Sequence, residues 1–97
     1  MPVQARKFVV RGRVQGVGFR WFVEREAAAL GLLGWVRNRE DSTVELLALG
    51  EEAKLTALKQ RLAEGPRASR VDAVDEFEPT PEETTGGLKS FQIQGDW

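Results

Sequence analysis

The stretch GRVQGVGFRWF, residues 12 to 22, sets Gly12, Gly16 and Gly18 beside Arg13 and Arg20, directly after a run that reads as a strand. Glycine admits positive φ and close backbone approach to a ligand, and arginine offers forked donors to an anion. Where such a loop runs into a helix N-terminus, successive backbone N–H groups and the positive end of the dipole favour an anion without any side chain. Arg20, in the first turn of that helix, would add a bidentate donor. Two phosphate motifs fail here. The P-loop needs a lysine and a Ser or Thr after its last glycine, where this chain has Phe19 and Arg20, and the dinucleotide pattern needs a glycine at the position held by Trp21. Residue types alone leave two readings open: an anion cradle, or a tight strand-to-helix turn beside a surface arginine. Asn38 is the second candidate. Asparagine before a turn is commonly turn chemistry, but it is the only asparagine in 97 residues and stands at a predicted strand end.

The elements that would position these groups follow from periodicity. RKFVVRGRV, residues 6–14, is rich in β-branched residues and reads as a strand ending near Arg13. Apolar residues at Phe19, Phe22, Val23, Ala27 and Leu30 form a helical stripe closed by Gly31, which predicts a helix over about 20–30. LLGWVRN and STVELLALG read as strands joined by the turn REDS, and EEAKLTALKQRLAEGP as a second helix stopping at Gly65 and Pro66. SRVDAVDEFEP predicts a fourth strand, TPEETTGG an exposed loop, and LKSFQIQ a short last strand. The order βαββαβ plus a terminal strand predicts an α+β ferredoxin-like split βαβ sandwich, one antiparallel sheet with two helices on one face, as a single domain over 1–97. With right-handed crossovers, the glycine loop and Asn38 finish at the same edge of the sheet. One strand separates them, so their ends should lie about 10 Å apart.

Composition narrows the chemistry. The chain has no cysteine and no histidine, which removes thiolate nucleophiles, disulfides, an imidazole base and ordinary zinc centres. Any enzyme written here must work with Arg, Lys, Asp, Glu, Asn, Gln, Ser or Thr. No apolar run reaches the roughly 20 residues of a membrane span, so a cytoplasmic location is the default expectation. Residues 1–23 hold Arg6, Lys7, Arg11, Arg13 and Arg20 with no acid, while 71–84 hold six acids with no base, around a net charge of -1. One pole should therefore attract small anions, and the chain should not act as a polybasic nucleic-acid binder. Trp21, Trp35 and Trp97 read as packing residues, and segment 72–83 as a solvated acidic surface.

At GRVQGVGFRWF, then LGWVRN, then LAEGPRASRVDAV, the chain resembles the small bacterial acylphosphatases over roughly residues 6–93. The resemblance implies the same fold and hydrolysis of the carboxyl–phosphate bond of small acyl phosphates, giving a carboxylate and inorganic phosphate without metal or cofactor. It also implies that the backbone of Gln15, Gly16, Val17, Gly18, Phe19 and Arg20 cradles the phosphate, that Arg20 grips its oxygens, and that Asn38 orients the attacking water. The expected partners are a small acyl phosphate and inorganic phosphate, with neither nucleic acid nor membrane, and the expected state is a monomer. EDS stands at the hairpin tip where that family more commonly has Asp-Gly. Two other classes share this fold. An RNA-binding ferredoxin-like module would display aromatics within KFVVRGRV and STVELLALG, and these strands lack that pattern. A noncatalytic anion-binding domain would bind phosphate without turnover.

Overall fold

Alternation along the first strand sorts its side chains: Phe8 and Val10 turn to one face and Lys7, Val9 and Arg11 to the other, the period of two of extended chain. The computed structural model describes residues 3–84 and 89–95. Among these the order is β1 (Gln4–Arg13), α1 (Phe19–Ala29), β2 (Leu33–Asn38), β3 (Val44–Gly50), α2 (Glu52–Glu64), β4 (Arg70–Phe77), α3 (Pro81–Thr84) and β5 (Phe91–Gln94). The sheet order is β4-β1-β3-β2-β5. The pairings β1–β3, β1–β4 and β2–β3 are antiparallel, as the split βαβ reading requires, and β5 adds a parallel edge beside β2.

Both long helices cover one face. Phe19, Val23 and Ala27 of α1 and Leu55, Leu58 and Leu62 of α2 meet Phe8, Val10, Val36 and Leu46 in one cluster. Each buried leucine contributes about 1.5–3 kcal/mol by leaving water. Helix α1 stops as its glycine predicts: the Leu32 N–H donates to the Ala27 carbonyl and the Gly31 N–H to the Ala28 carbonyl, both at 3.0 Å. Where a loop was expected, α3 forms a short turn. The Glu83 N–H donates to the Thr80 carbonyl (3.1 Å), and the Glu83 carboxylate accepts from the Thr80 N–H (3.0 Å), a reciprocal box with Pro81 at the first helical position. The rest of that predicted loop and the first residue of the predicted last strand lie outside the described residues, as does Trp97.

Strand order also answers the charge asymmetry. The basic β1 lies beside the acidic β4, so Arg6 pairs with Glu76 (3.2 Å) and Arg11 with Asp75 (2.8 Å), while Lys7 reaches Glu83 of α3 (3.0 Å). Much of the acidic segment is thus engaged by bases, and the anion-attracting pole is narrower than the linear charge pattern implies.

The face opposite the helices carries a buried carboxylate. Glu45, 3% exposed near the start of β3, accepts from Lys7 (2.9 Å) and from Arg37 (2.7 Å), whose guanidinium lies over the Trp35 ring at 4.8 Å. Burial pushes the Glu45 carboxyl up, but the bonds from Lys7 and Arg37 outweigh it and hold it below its ordinary 4.5. Glu83 is lowered as well, by the Thr80 N–H first and by Lys7 next. A carboxyl lowered on folding stabilises the fold above its unfolded pKa, and that stability disappears as pH falls through the folded value. The thermal midpoint is therefore expected to hold near neutrality and to drop steeply below about pH 4.5. Glu45→Gln should flatten part of that drop in a calorimetric pH series, and an unchanged slope would show that the network does not link folding to protons.

Candidate active site

β1 ends at Arg13 and β2 at Asn38, with β3 between them, so at about 4.8 Å per strand the two ends stand about 10 Å apart at one edge of the sheet. Alternation puts Asn38 on the helix side, in phase with buried Val36. The chain leaving β1 crosses the same edge and enters α1. Gly16 and Gly18 take φ of 73° and 77°, and a Cβ at either would meet nothing within 4 Å. Backbone conformation rather than crowding demands glycine there, since a left-handed L-residue costs about 1–2 kcal/mol. Gly18 is the N-cap of α1, no side chain caps the turn, and the first helical bond runs from the Phe22 N–H to the Gly18 carbonyl at 3.1 Å. A helix start left without a side-chain cap suits an anionic ligand.

Arg20 follows the stripe inward: it is 9% exposed, and its Nη1 donates to the Gln94 carbonyl at 3.1 Å. The parallel strand β5 is what places that carbonyl, through its pairing with β2. That bond anchors the guanidinium, whose planar fork carries five donors in fixed directions. Across the cleft, the Oδ1 of Asn38 is buried and has no hydrogen-bond partner among the described residues. A buried acceptor left in that state costs about 1–3 kcal/mol, so it marks a place where a water or ligand donor belongs.

The structure gathers most of the sequence-predicted set. Gly16, Gly18, Phe19, Arg20 and Asn38, with Val14 and Trp21, line one cleft of about 300 Å³. Val17 instead packs its side chain against the core. The Gln15 side chain turns to the β2–β3 hairpin, where its Nε2 donates to the Arg39 carbonyl (2.8 Å) and the Thr43 carbonyl (2.9 Å). It ties the glycine loop to the turn that follows Asn38, a long-range brace that residue types do not announce. In that hairpin Ser42 takes φ 74°, the left-handed position where a glycine is commoner, and the Asp41 carboxylate accepts from the Thr43 N–H at 3.1 Å to hold the turn.

The packing role expected of Trp21 is corrected by the structure. Trp21 is 64% exposed and borders the cleft, because it falls off the Phe19–Phe22–Val23 stripe. The signal was available in the spacing; the bulk of the side chain concealed it. Trp35 is half-buried beneath Arg37, closer to expectation. A larger groove of about 760 Å³ lies on the open face of the sheet among Arg11, Arg13, Arg39 and Arg70. Three of those arginines already face Asp75, Asp41 and Asp72, and that groove contains no helix start, whereas the smaller cleft lies at the start of α1.

Comparison with known proteins fits this geometry. The acylphosphatase family model matches residues 6–93. The chain belongs to the acylphosphatase family. It is 56% identical over 94 residues to an acylphosphatase of Koribacter versatilis, covering 97% of this chain and 83% of that one. The crystal structure of acylphosphatase from Bacillus subtilis superposes with a TM-score of 0.86 at 37% identity, covering 97% of this chain and all (100%) of the other. The structure of HypF from T. kodakarensis matches at TM-score 0.81 and 33% identity, over 96% of this chain but only 12% of HypF. The family shares its ferredoxin-like architecture with the fold described above. No helix of the described residues is long and apolar enough to cross a membrane.

Proposed function

We propose how the cleft residues divide the work of an enzyme that hydrolyses the carboxyl–phosphate bond of acyl phosphates to a carboxylate and inorganic phosphate. The backbone from Gln15 to Arg20 cradles the phosphoryl group at the start of α1, and the Arg20 guanidinium neutralises its equatorial oxygens. Asn38 positions the attacking water, and Gln15 and Gln94 brace the two sides. The observation that carries this reading is the buried Asn38 Oδ1, without a hydrogen-bond partner among the described residues, on a side chain that lines the same cleft as Arg20, Gly16 and Gly18.

The reaction suits a site without histidine or cysteine. The departing carboxylate has a conjugate-acid pKa near ~4, so it leaves at neutral pH without a proton. What remains is positioning and charge stabilisation, which a guanidinium and backbone amides supply. Water attacks phosphorus in line with the departing carboxylate, the P–O bond to the acyl group breaks with its electron pair on the carboxylate, and the water's proton passes to a phosphoryl oxygen. No step in this account requires a metal. We place the enzyme in the cytoplasm, working as a monomer with residues 1–97 as one domain, on small acyl phosphates and with neither nucleic acid nor membrane as partner.

The test is selectivity with chelator present. Acetyl or benzoyl phosphate should be turned over at least ~10³ times faster than an alkyl phosphate monoester, whose alkoxide needs the general acid this site lacks. Comparable rates on both would reject the mechanism. Phosphate binding without turnover of any acyl phosphate would favour a noncatalytic anion-binding domain instead.

A further inference from the structure

Trp21 sits in the first turn of α1 with most of its indole in solvent. Its surroundings suggest what the exposed face can do. Trp21 and Gly18 border the phosphate cleft and also a second groove of about 360 Å³, completed by Phe22, Glu24, Arg25 and Pro66. The two hollows therefore meet around the indole. The second has an apolar floor: Phe22 is partly buried against the core, Pro66 closes the end near α2, and the Arg25 guanidinium caps the Phe22 ring at 6.0 Å. Glu24 and Arg25 carry opposite charges, so the groove offers little net field to a charged group.

In-line attack fixes which side the acyl group takes. With the water held by Asn38 at the strand side of the cleft, the departing carboxylate lies on the opposite side of phosphorus. That side is where α1 presents Trp21, and Asn38 does not reach the second groove. An extended or planar apolar acyl group leaving the cradle would lie on the indole face and enter the groove, burying area there. An acetyl group is too short to use it.

We propose that Trp21 is a specificity-determining residue and that the groove beyond it is the acyl subsite, selecting acyl phosphates with aromatic or extended apolar acyl groups. This rests on the cleft reading given under Proposed function. The test compares kcat/KM for benzoyl phosphate and for acetyl phosphate in the full chain and in its Trp21→Ala and Trp21→Phe variants, with inhibition by inorganic phosphate measured alongside. The benzoyl-to-acetyl ratio should fall about tenfold in Trp21→Ala, mainly through KM for benzoyl phosphate, and Trp21→Phe should recover most of it. A ratio moved less than twofold would overturn the inference while leaving the site reading intact, since both substrates would still turn over. An equal loss on both substrates together with weakened phosphate inhibition would also overturn it, because Trp21 would then be a brace of the cradle. If the unaltered chain hydrolysed neither substrate, the cleft reading itself would fail and the subsite with it.

Discussion

Arg20→Ala is expected to lower kcat for benzoyl phosphate by about a thousandfold, roughly 4 kcal/mol of transition-state stabilisation. The loss should be large because the group is preorganised: it is almost wholly buried, and one of its donors is already fixed on the Gln94 carbonyl. Charge held rigidly acts where negative charge builds up on the phosphoryl oxygens and costs no reorganisation during the reaction. Inhibition by inorganic phosphate should weaken too, since the proposed role has the same fork bind the product. Arg20→Lys should recover little, because an ammonium has no planar fork to hold both Gln94 and a phosphoryl oxygen. Steady-state rates with phosphate as competitive inhibitor measure both effects, and an Arg20→Ala variant with native kcat would remove Arg20 from the reaction.

Asn38→Ala should separate turnover from binding. Its amide is assigned to the water and not to the phosphate, so kcat is expected to drop about a hundredfold, the scale of losing one positioning contact. The inhibition constant for phosphate should stay within about twofold. Stability should hold. The Oδ1 makes no hydrogen bond to the protein among the described residues, so truncating the side chain breaks no protein contact there, and the thermal midpoint should stay nearly unchanged. A variant that lost both phosphate inhibition and stability would make Asn38 a structural residue or a direct phosphate ligand. Together the two variants distinguish a group that holds the phosphoryl from one that holds its attacker.

Local signals carried most of the fold. Periods of two and 3.6, the glycine closing α1 and the Gly65–Pro66 stop of α2 all act within a few residues of where they are written, and the helices and inner strands appear where those signals put them. Gly16, Gly18, Arg20 and Asn38 were legible because residue type, spacing and an expected crossover converge on one sheet edge. Contacts between distant segments were not legible. Alternation in FQIQ is the same for parallel and antiparallel pairing, so the direction of β5 beside β2 could not be read. The Gln15 bonds to the Arg39 and Thr43 carbonyls depend on a neighbour across the sheet edge that no local pattern encodes. The turn at α3 was written in Thr80-Pro81-Glu82-Glu83, a reciprocal box, but the prolines and glycines around it suggested a loop.

The anchor on Arg20 comes from a strand 74 positions further along the chain. A nascent polypeptide that had already wrapped its loop around phosphate would still lack the contact between that guanidinium and the Gln94 carbonyl until β5 emerged and docked beside β2. Onset of hydrolysis during translation would therefore report completion of the sheet rather than formation of the cradle, and the rate of appearance of product could serve as a clock for the last step of assembly.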